Sequence, residues 1–580
     1  MLPPNAGDHG IRDGYNLALA AVDHLPGHRA AWDYLLERIP WYPRGRQFWP
    51  WKRATKKDLP RPIAMVGCAW QVRTDDNARL PVRWTRATGQ RVNTLDVHGE
   101  HDDAERVAAW LFGRYHRSTS IVLIDGSAWL FQSLLKWYAR SWADLGYEVR
   151  PLVAGPTIRA IVVRKGNQRW TLCDLEAMTG TDVATAHAEA QAMPRRPGPI
   201  RADEWYLKLW LEELQLTVVA ELGAYLRPTI AGTAVRAASH VLPDDLMIPR
   251  PPPFLVAMCR EGRGFRGGFV YGVPFRGHAY KADVRRLYAA CLRTPLGIRW
   301  AFGPGTARGR EKSGVFLCTV DGTPAMPITL GVWDESTRSF TDRHWYGGTA
   351  IAVLPSSEYA GVRAMGCTVT PGWGWVATQS VTFDELVDKL ATILGRYGSD
   401  SSMGRVAKLI GNTLYGRWAQ NPVREGVVYS VDRPSERAFP MVTIRGDEVD
   451  DLWWQWDQFF SPAQQIGMAA MVTGHARSVL YAELAKRTAE GRTVVHAHTD
   501  GYVATGSPPD DMPTDTDVIG EWRVVGEDPD AIVLRGGGYT IGEDAKTSGV
   551  PGASRAGLEI AWSRGTWLVR GERATAIQTR

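Results

Sequence analysis

The run Lys408-Leu409-Ile410-Gly411-Asn412-Thr413-Leu414-Tyr415-Gly416 places a lysine, an amide and a phenol at i, i+4 and i+7. On a helix those three side chains share one face, and Gly416 is expected to stop the helix after its last turn. Such a stripe can hold a triphosphate, a sugar and a base together. Taken alone, the run reads as an ordinary amphipathic helix with a solvated lysine. The stretches before and after it change that reading.

Upstream, His278–Ala289 reads HAYKADVRRLYA, in which Asp283 closes a short strand-like segment and Leu287 and Tyr288 follow. Downstream, Val494–Thr505 reads VVHAHTDGYVAT, with Asp500 at a tight turn between two β-rich stretches. Two aspartates on adjoining strands can share two divalent cations. Carboxylate oxygens suit magnesium, which needs few protein ligands when phosphates supply the rest. Two metals about 3.5–4 Å apart can activate an attacking oxygen and stabilise a leaving one. Either aspartate alone is more simply a turn cap; with the lysine run between them, the metal reading is preferred.

The wider chain has 580 residues, 44% apolar and 22% charged, which fits two or three folded domains and argues against global disorder. Sixty-eight Lys and Arg against 62 Asp and Glu leave +6, an excess that permits a polyanionic partner without demanding one. The six cysteines (Cys68, Cys173, Cys259, Cys291, Cys318, Cys367) form no CxxC pair, which argues against a zinc module or a disulfide framework. No run of about 18 apolar residues is present, and MLPPNAGDHG lacks signal-peptide character, so a cytoplasmic protein with no membrane partner is expected.

Residues 1–60 form a preamble ending in WYPRGRQFWPWKRATKK, where Trp41, Tyr42, Phe48, Trp49 and Trp51 interleave with arginines and lysines. Stacking on single-stranded bases is one use for this stretch; a linker whose tryptophans dock on the next domain is the simpler one and is preferred. From 61 to 225, strand and helix alternate. PIAMVGCAWQV, SIVLID (Ser120–Asp125), RAIVVRK and RWTLCDL read as strands. Asp102–Tyr115, Ser127 to Trp142 and a long Glu204 to Leu226 segment read as helices. That alternation indicates an α/β layer domain. The Pro-, Arg- and Gly-rich IPRPPPF and REGRGFRGGF follow as a junction loop, and residues 265–580 lack a βαβ rhythm, which suggests α+β.

The order Asp with Leu-Tyr, then Lys-x3-Asn-x2-Tyr-Gly, then Thr-Asp-Gly resembles the polymerase motifs of family B DNA polymerases. That family writes them DxxSLYP, KxxxNSxYG and DTDS. Here they stand as Asp283–Ala289 (DVRRLYA), Lys408–Gly416 (KLIGNTLYG) and His498–Gly501 (HTDG). The protein-primed branch, found in phages and linear plasmids, is the nearest match. Its Tyr-x-Gly-Gly element appears as Phe265-Arg266-Gly267-Gly268, the second motif runs on into RWAQNP, and GHARSVL precedes the third.

The resemblance implies roles residue by residue. Asp283 and Asp500, with the Val284 carbonyl, would bind two magnesium ions, for which manganese can substitute. Lys408 would neutralise the nucleotide's phosphates, with Arg396 as a second cation. Tyr288 would lie under the sugar and exclude a 2′-hydroxyl, while Asn412 and Tyr415 complete the nucleotide pocket. Gly416 would let the template approach the backbone. Arg266, Gly267 and Gly268 would hold single-stranded template, for which a flexible turn is the bland alternative. Tyr539 would meet DNA from the family's Lys-x-Tyr element.

Several positions depart from the pattern. Arg286 replaces Ser and Ala289 replaces Pro; His498 replaces the first aspartate of the third motif and Gly501 its serine. The Lys-x-Tyr element reads Gly537-Gly538-Tyr539, so its lysine is absent, and Arg535 is the nearest substitute. A proofreading exonuclease of this type needs four carboxylates, beginning with Asp-x-Glu on its first strand. Here that strand reads Val66-Gly67-Cys68-Ala69-Trp70. Asp125, Asp174 and Glu212 or Glu213 cannot rebuild the set, so an exonuclease-like fold without that activity is expected.

The resulting expectation is a multidomain α/β and α+β chain. It comprises an N-terminal extension (1–60), an inactive exonuclease-like, RNase H-like domain (61–250) and a right-hand polymerase (251–580). Within the last, the palm is placed at 265–300 and 466–510, an insertion at 301–380, the fingers at 381–421, a second insertion at 422–465 and the thumb at 511–580. The tract DDLWWQWDQFF in the second insertion reads equally as a docking surface or a buried hairpin. The expected function is DNA-directed DNA synthesis from a primer and template with deoxynucleoside triphosphates, primed by a terminal protein. Two rivals stand beside it: a specialised nucleotidyltransferase with altered primer, template or sugar use, and a non-catalytic nucleic-acid-binding protein on a polymerase scaffold.

Overall fold

A computed structural model describes residues 28–39, 48–50, 63–72, 79–88, 91–97, 103–113, 119–123, 134–154, 157–193, 203–421, 423–434, 438–442, 448–458, 463–535, 538–542, 544–547, 555–563, 566–569 and 576–579. They form two compact units, one from 1–50, 247–387 and 464–580, the other from 51–246 and 388–463.

The second unit is built on a ten-stranded mixed sheet. Arg91–Asp96, Arg79–Thr88 and Ile63–Val72 form an antiparallel meander; Thr119–Leu123 then runs parallel to Ile63–Val72, and Gln168–Asp174 parallel to Thr119–Leu123. A three-strand meander continued by two parallel strands is the RNase H-like order, as expected for an exonuclease-like domain. Its core is aromatic: Phe112 lies 5.2 Å from Trp142 and 5.0 Å from Trp170, and the Trp142 indole donates to the Ala104 carbonyl at 2.9 Å.

The sheet continues through Thr157–Lys165 and Glu148–Ala154 into Val423–Tyr429, Glu448–Gln458 and Ala438–Val442. The aromatic tract is therefore a strand of a hairpin that joins this sheet through Tyr429 and Val149; its last residues, 459 and 460, lie outside the described ones. Residues 388–421 of the segment expected as fingers and 422–463 of the second insertion fall in the same compact unit as this sheet, while 381–387 and 464–465 fall in the other. Asp125 and most of the 41–57 stretch also lie outside the described residues.

Some helix ends differ from expectation. The 102–115 helix is Ala104–Phe112. The long helix is Asp203–Leu222, stopped by Gly223 at φ +64° rather than running to Leu226. The described part of the 127–142 segment passes through a π-helical turn, Leu135–Ala139, into Arg140–Asp144.

The key helix spans Ser402–Trp418 and does not stop at Gly416. Its start is set by Ser401, whose hydroxyl accepts from the Gly404 N–H at 3.0 Å. Its end is set by Trp418, which is 0% exposed, and by the Ala419 N–H donating to the Tyr415 carbonyl at 3.0 Å. A mid-helix glycine costs about 1 kcal/mol against alanine, whereas burying a large apolar side chain contributes about 1.5–3 kcal/mol. The burial wins.

The first unit contains a seven-stranded antiparallel sheet ordered Val270–Gly272, Val494–His498, Gly501–Thr505, Phe275–Val284, Trp522–Arg535, Gly538–Ile541, Asp544–Thr547. The last three strands lie beyond residue 510, so the sheet takes in part of the segment expected as thumb. A six-stranded antiparallel sheet within 296–381 packs with it and with the helix Ile466–Ala489 around Phe269, Tyr280, Phe316, Leu480 and Tyr481. The junction expected to be loop contains the helix Pro253–Arg260, whose Phe254–Cys259 side chains are buried. Proline at its first turn is compatible with that start. In the preamble, the helix His28–Glu37 docks Trp32 5.6 Å from Phe254. Among the described residues, no helix is long and apolar enough to cross a membrane.

Candidate active site

Asp283 and Asp500 meet at the ends of neighbouring strands. Asp283 sits opposite Gly501 in the register of Phe275–Val284 with Gly501–Thr505, and the Val284 N–H donates to the Asp500 carbonyl at 2.8 Å. The turn into Asp500 is tight: Thr499 adopts φ +53°, its N–H donates to the Phe269 carbonyl at 2.8 Å, and its hydroxyl donates to Asp500 Oδ1 at 2.9 Å. A Cβ on Gly501 would lie 2.7 Å from the Ala282 carbonyl oxygen, so glycine rather than serine fits this register.

Gly268 is equally constrained. A Cβ there would lie 2.5 Å from Thr499 Cγ2 and 2.9 Å from its Cα. The loop before the first strand therefore braces the Asp500 turn. Arg266, expected to face template, instead points inward at 3% exposure, where both Glu358 oxygens accept from its Nη2 at 2.7 Å. Arg477 grips the same carboxylate and also donates to the Arg266 and Gly267 carbonyls at 2.9 Å. The Arg266 side chain shapes the loop; exposed Gly267 borders a cleft of about 400 Å³ that Asp342, Arg343 and His344 also line.

Arg523 and Asp517 bring charges to this sheet end that the motif spacing does not predict. Arg523, directly opposite Asp283, donates from Nε to Asp283 Oδ1 at 2.9 Å. Arg285 pairs with Asp517 at 3.0 Å. Arg286, in the serine position, starts the helix Leu287–Cys291 at φ +56°; burial first, then Arg285 and Arg523, lowers its pKa. Tyr288 lies half-buried on that helix.

On the same face as Asp283, two residues back, Lys281 sets its ammonium 5.2 Å from the Tyr539 ring centroid. Tyr539 is 5% exposed and 4.7 Å from His496, so its ring is packed into the sheet face rather than presented outward. Lys281, not Arg535, is the cation at this tyrosine. His498 stacks on His496 at 6.3 Å, with its Nδ1 3.2 Å from the Thr499 hydroxyl. The i, i+2 spacing of these residues on a strand is the signal that would have found them.

In the second unit, Lys408 and Asn412 are exposed along the Ser402–Trp418 helix, with Tyr415 half-buried below them and Gly416 exposed. Arg396 pairs with Glu221. The helix is anchored by Arg405, 2.7 Å from Asp182, and by Glu189, which accepts from the Ser402 N–H at 2.9 Å and the Trp210 indole at 2.8 Å. Of the exonuclease candidates, Asp174 caps the helix Leu175–Thr179 by accepting from the Glu176 and Ala177 N–H groups, and Glu212 pairs with Lys208.

Among the described residues, no cluster of three or more His, Cys, Asp or Glu side chains forms a metal cage. Two carboxylates at adjoining strand ends, with a backbone carbonyl beside them, still fit a hard cation that draws its other ligands from a bound triphosphate and water.

An antiparallel sheet with paired aspartates at its strand ends, in a chain that also carries an RNase H-like exonuclease fold, defines the right-hand polymerase architecture. Several of the solved structures it matches are of phi29 DNA polymerase. A ternary complex of that enzyme with primer-template DNA and incoming nucleotide matches at TM-score 0.62 and 15% identity, over 88% of this chain and 96% of that one. An orthorhombic crystal form matches at TM-score 0.59 and 15% identity, over 89% and 99%. A complex with single-stranded DNA matches at TM-score 0.58 and 14% identity, over 89% and 97%. The chain has the phi29 DNA polymerase fold. No family model and no curated protein sequence matches it.

Proposed function

We propose that this chain is a DNA-directed DNA polymerase of family B, in the protein-primed branch, that extends a primer on a DNA template. The observation that carries the reading is the junction of Asp283 and Asp500 at neighbouring strand ends, held by the Val284 N–H on the Asp500 carbonyl. The phi29 polymerase ternary complex contains primer-template DNA and incoming nucleotide, and the same substrates are proposed here.

Asp283, Asp500 and the Val284 carbonyl would hold magnesium or manganese. When bound, two such ions supply activation of the attacking oxygen and stabilisation of the leaving one. Lys408, exposed on its helix, would offset the charge of the triphosphate as the phosphoryl group transfers. Arg396, paired with Glu221, would do the same on leaving it. Asn412 and Tyr415 would serve sugar and base, and Tyr288 would lie beneath the sugar. Gly267 and Gly268 would carry the template by backbone, since the Arg266 side chain is buried. Gly416 would give the template a second close approach to backbone, and Tyr539 would brace the strand behind the primer end from within the sheet.

The exonuclease-like domain would lack 3′–5′ proofreading. Its first strand, Ile63–Val72, contains no acid, and Asp174 serves as a helix cap. Initiation would use a priming protein, and the source would be a phage or linear plasmid.

The test is extension of an end-labelled primer on a DNA template with magnesium, beside Asp500→Asn, with one lane lacking nucleotides. Extension that disappears in Asp500→Asn, with an unshortened primer in the last lane, is expected. Binding of DNA without extension under magnesium or manganese, with protein priming also tried, would leave only a scaffold.

A further inference from the structure

We propose that Arg523 is a positioning residue that neutralises and holds Asp283 when no divalent ion is bound, and that it transfers to Asp515 when one arrives. The inference rests on Asp283 being a metal ligand, as proposed above. Three observations carry it. Arg523 and Asp283 are directly opposed across antiparallel strands, so their side chains project from the same face. The Nε to Oδ1 separation is 2.9 Å, a charge-assisted hydrogen bond between groups that are 24% and 27% exposed. A second carboxylate stands ready, because Arg523 Nη1 lies 3.6 Å from Asp515 Oδ1 on a residue 84% exposed.

The Arg523 Nε occupies Asp283 Oδ1, so a cation that takes this oxygen competes with the pair. Arg286 already feels Arg285 and Arg523 as like charges, and Arg285 is committed to Asp517 at 3.0 Å. A doubly charged ion on Asp283 would add to this positive cluster at hydrogen-bond range. The arginine stem is long enough to keep its place in the strand while the guanidinium turns from one carboxylate to the other. Metal binding through Oδ1 therefore breaks one ion pair. The pair lowers the affinity of the site for a cation while keeping its carboxylate oriented.

The experiment is a titration of the full-length protein with manganese, without DNA or nucleotide, following the loss of the free-ion paramagnetic resonance signal. Arg523→Gln should bind manganese roughly three- to five-fold more tightly, the factor expected of an ion pair this exposed. Asp515→Asn should bind it more weakly, because Arg523 then has only Asp283. Arg523→Lys, which keeps the charge, should stay near the wild-type affinity. A purely structural Arg523 would move none of these constants. Unchanged or weaker binding in Arg523→Gln, or an Arg523→Lys variant that behaves like it, overturns the proposal. Should Arg523→Gln not fold, Asp515→Asn, altered at an exposed position, decides by the sign of its effect alone. Asp283→Asn separates the two levels. If it binds manganese as the wild type does, the metal-ligand reading fails. If it loses binding while Arg523→Gln is unchanged, only the present inference fails.

Discussion

Arg477 and Glu358 form a bidentate ion pair that is sealed from solvent: Nε and Nη2 lie 2.8 and 2.7 Å from the two carboxylate oxygens, at side-chain exposures of 1% and 0%. Arg266 completes the buried network and ties the Gly267–Gly268 loop to the Ile466–Ala489 helix. Charges this deep add little net stability as an intact set, but removing one partner strands the others. Glu358→Gln should therefore cost about 3–5 kcal/mol in urea denaturation. Burial pushes the Glu358 carboxyl up, but Arg266 and Arg477 outweigh it and hold it below the ordinary glutamate value. Its contribution is then complete above about pH 4.3 and is lost as pH falls through the depressed folded value. The gap between wild type and Glu358→Gln should narrow only under such acid conditions.

His496 has the opposite consequence near neutrality. Burial, then His498 and Lys281, lowers its pKa to about 3 from 6.5. Between those values the unfolded chain binds a proton that the folded chain refuses, so stability falls as pH drops from 6.5, by up to about 1.4 kcal/mol per unit. His496→Phe removes this titration and keeps an aromatic ring against Tyr539. Denaturation at pH 7 and pH 5 should show a loss in the wild type that is about 2 kcal/mol larger than in the variant.

Gly268→Ala should strike catalysis through the Thr499 turn. Its methyl would sit 2.9 Å from the Thr499 Cα, so the Asp500 turn must shift. A displacement of about 1 Å at a reacting centre can cost on the order of 100-fold, measurable as the single-nucleotide incorporation rate. Gly395→Ala, on the Asp384–Tyr397 helix with nothing within 4 Å of the added carbon, should instead gain up to about 1 kcal/mol of stability.

Lys408→Ala should lower single-turnover incorporation by on the order of 100- to 1000-fold, the range for removing one preorganised charge-stabilising group. Lys408 is exposed, so the circular dichroism spectrum and denaturation midpoint should match the wild type. An unchanged rate would remove the lysine stripe from the site.

What could be read from the chain alone was the local pattern. Alternating strands marked the RNase H-like sheet, and the runs around Asp283 and Asp500 marked the strand ends that meet. What escaped were partnerships made across long sequence separations. Arg523 lies opposite Asp283, and Glu358 joins Arg266 and Arg477, only after strands and helices pair. Gly416 misled because glycine marks a helix end only where no large side chain beyond it is buried, and Trp418 is. The membership of the strand Trp522–Arg535 in this sheet escaped too, because it is set by pairing with Phe275–Val284.

The most direct measurement offers each deoxynucleoside triphosphate singly, with magnesium, to a labelled primer on templates that differ in their next base. The account predicts one-step extension by the complementary nucleotide alone, in every template, and none with Asp283→Asn. Addition that ignores the template base, or no addition from any DNA or protein primer, would contradict it.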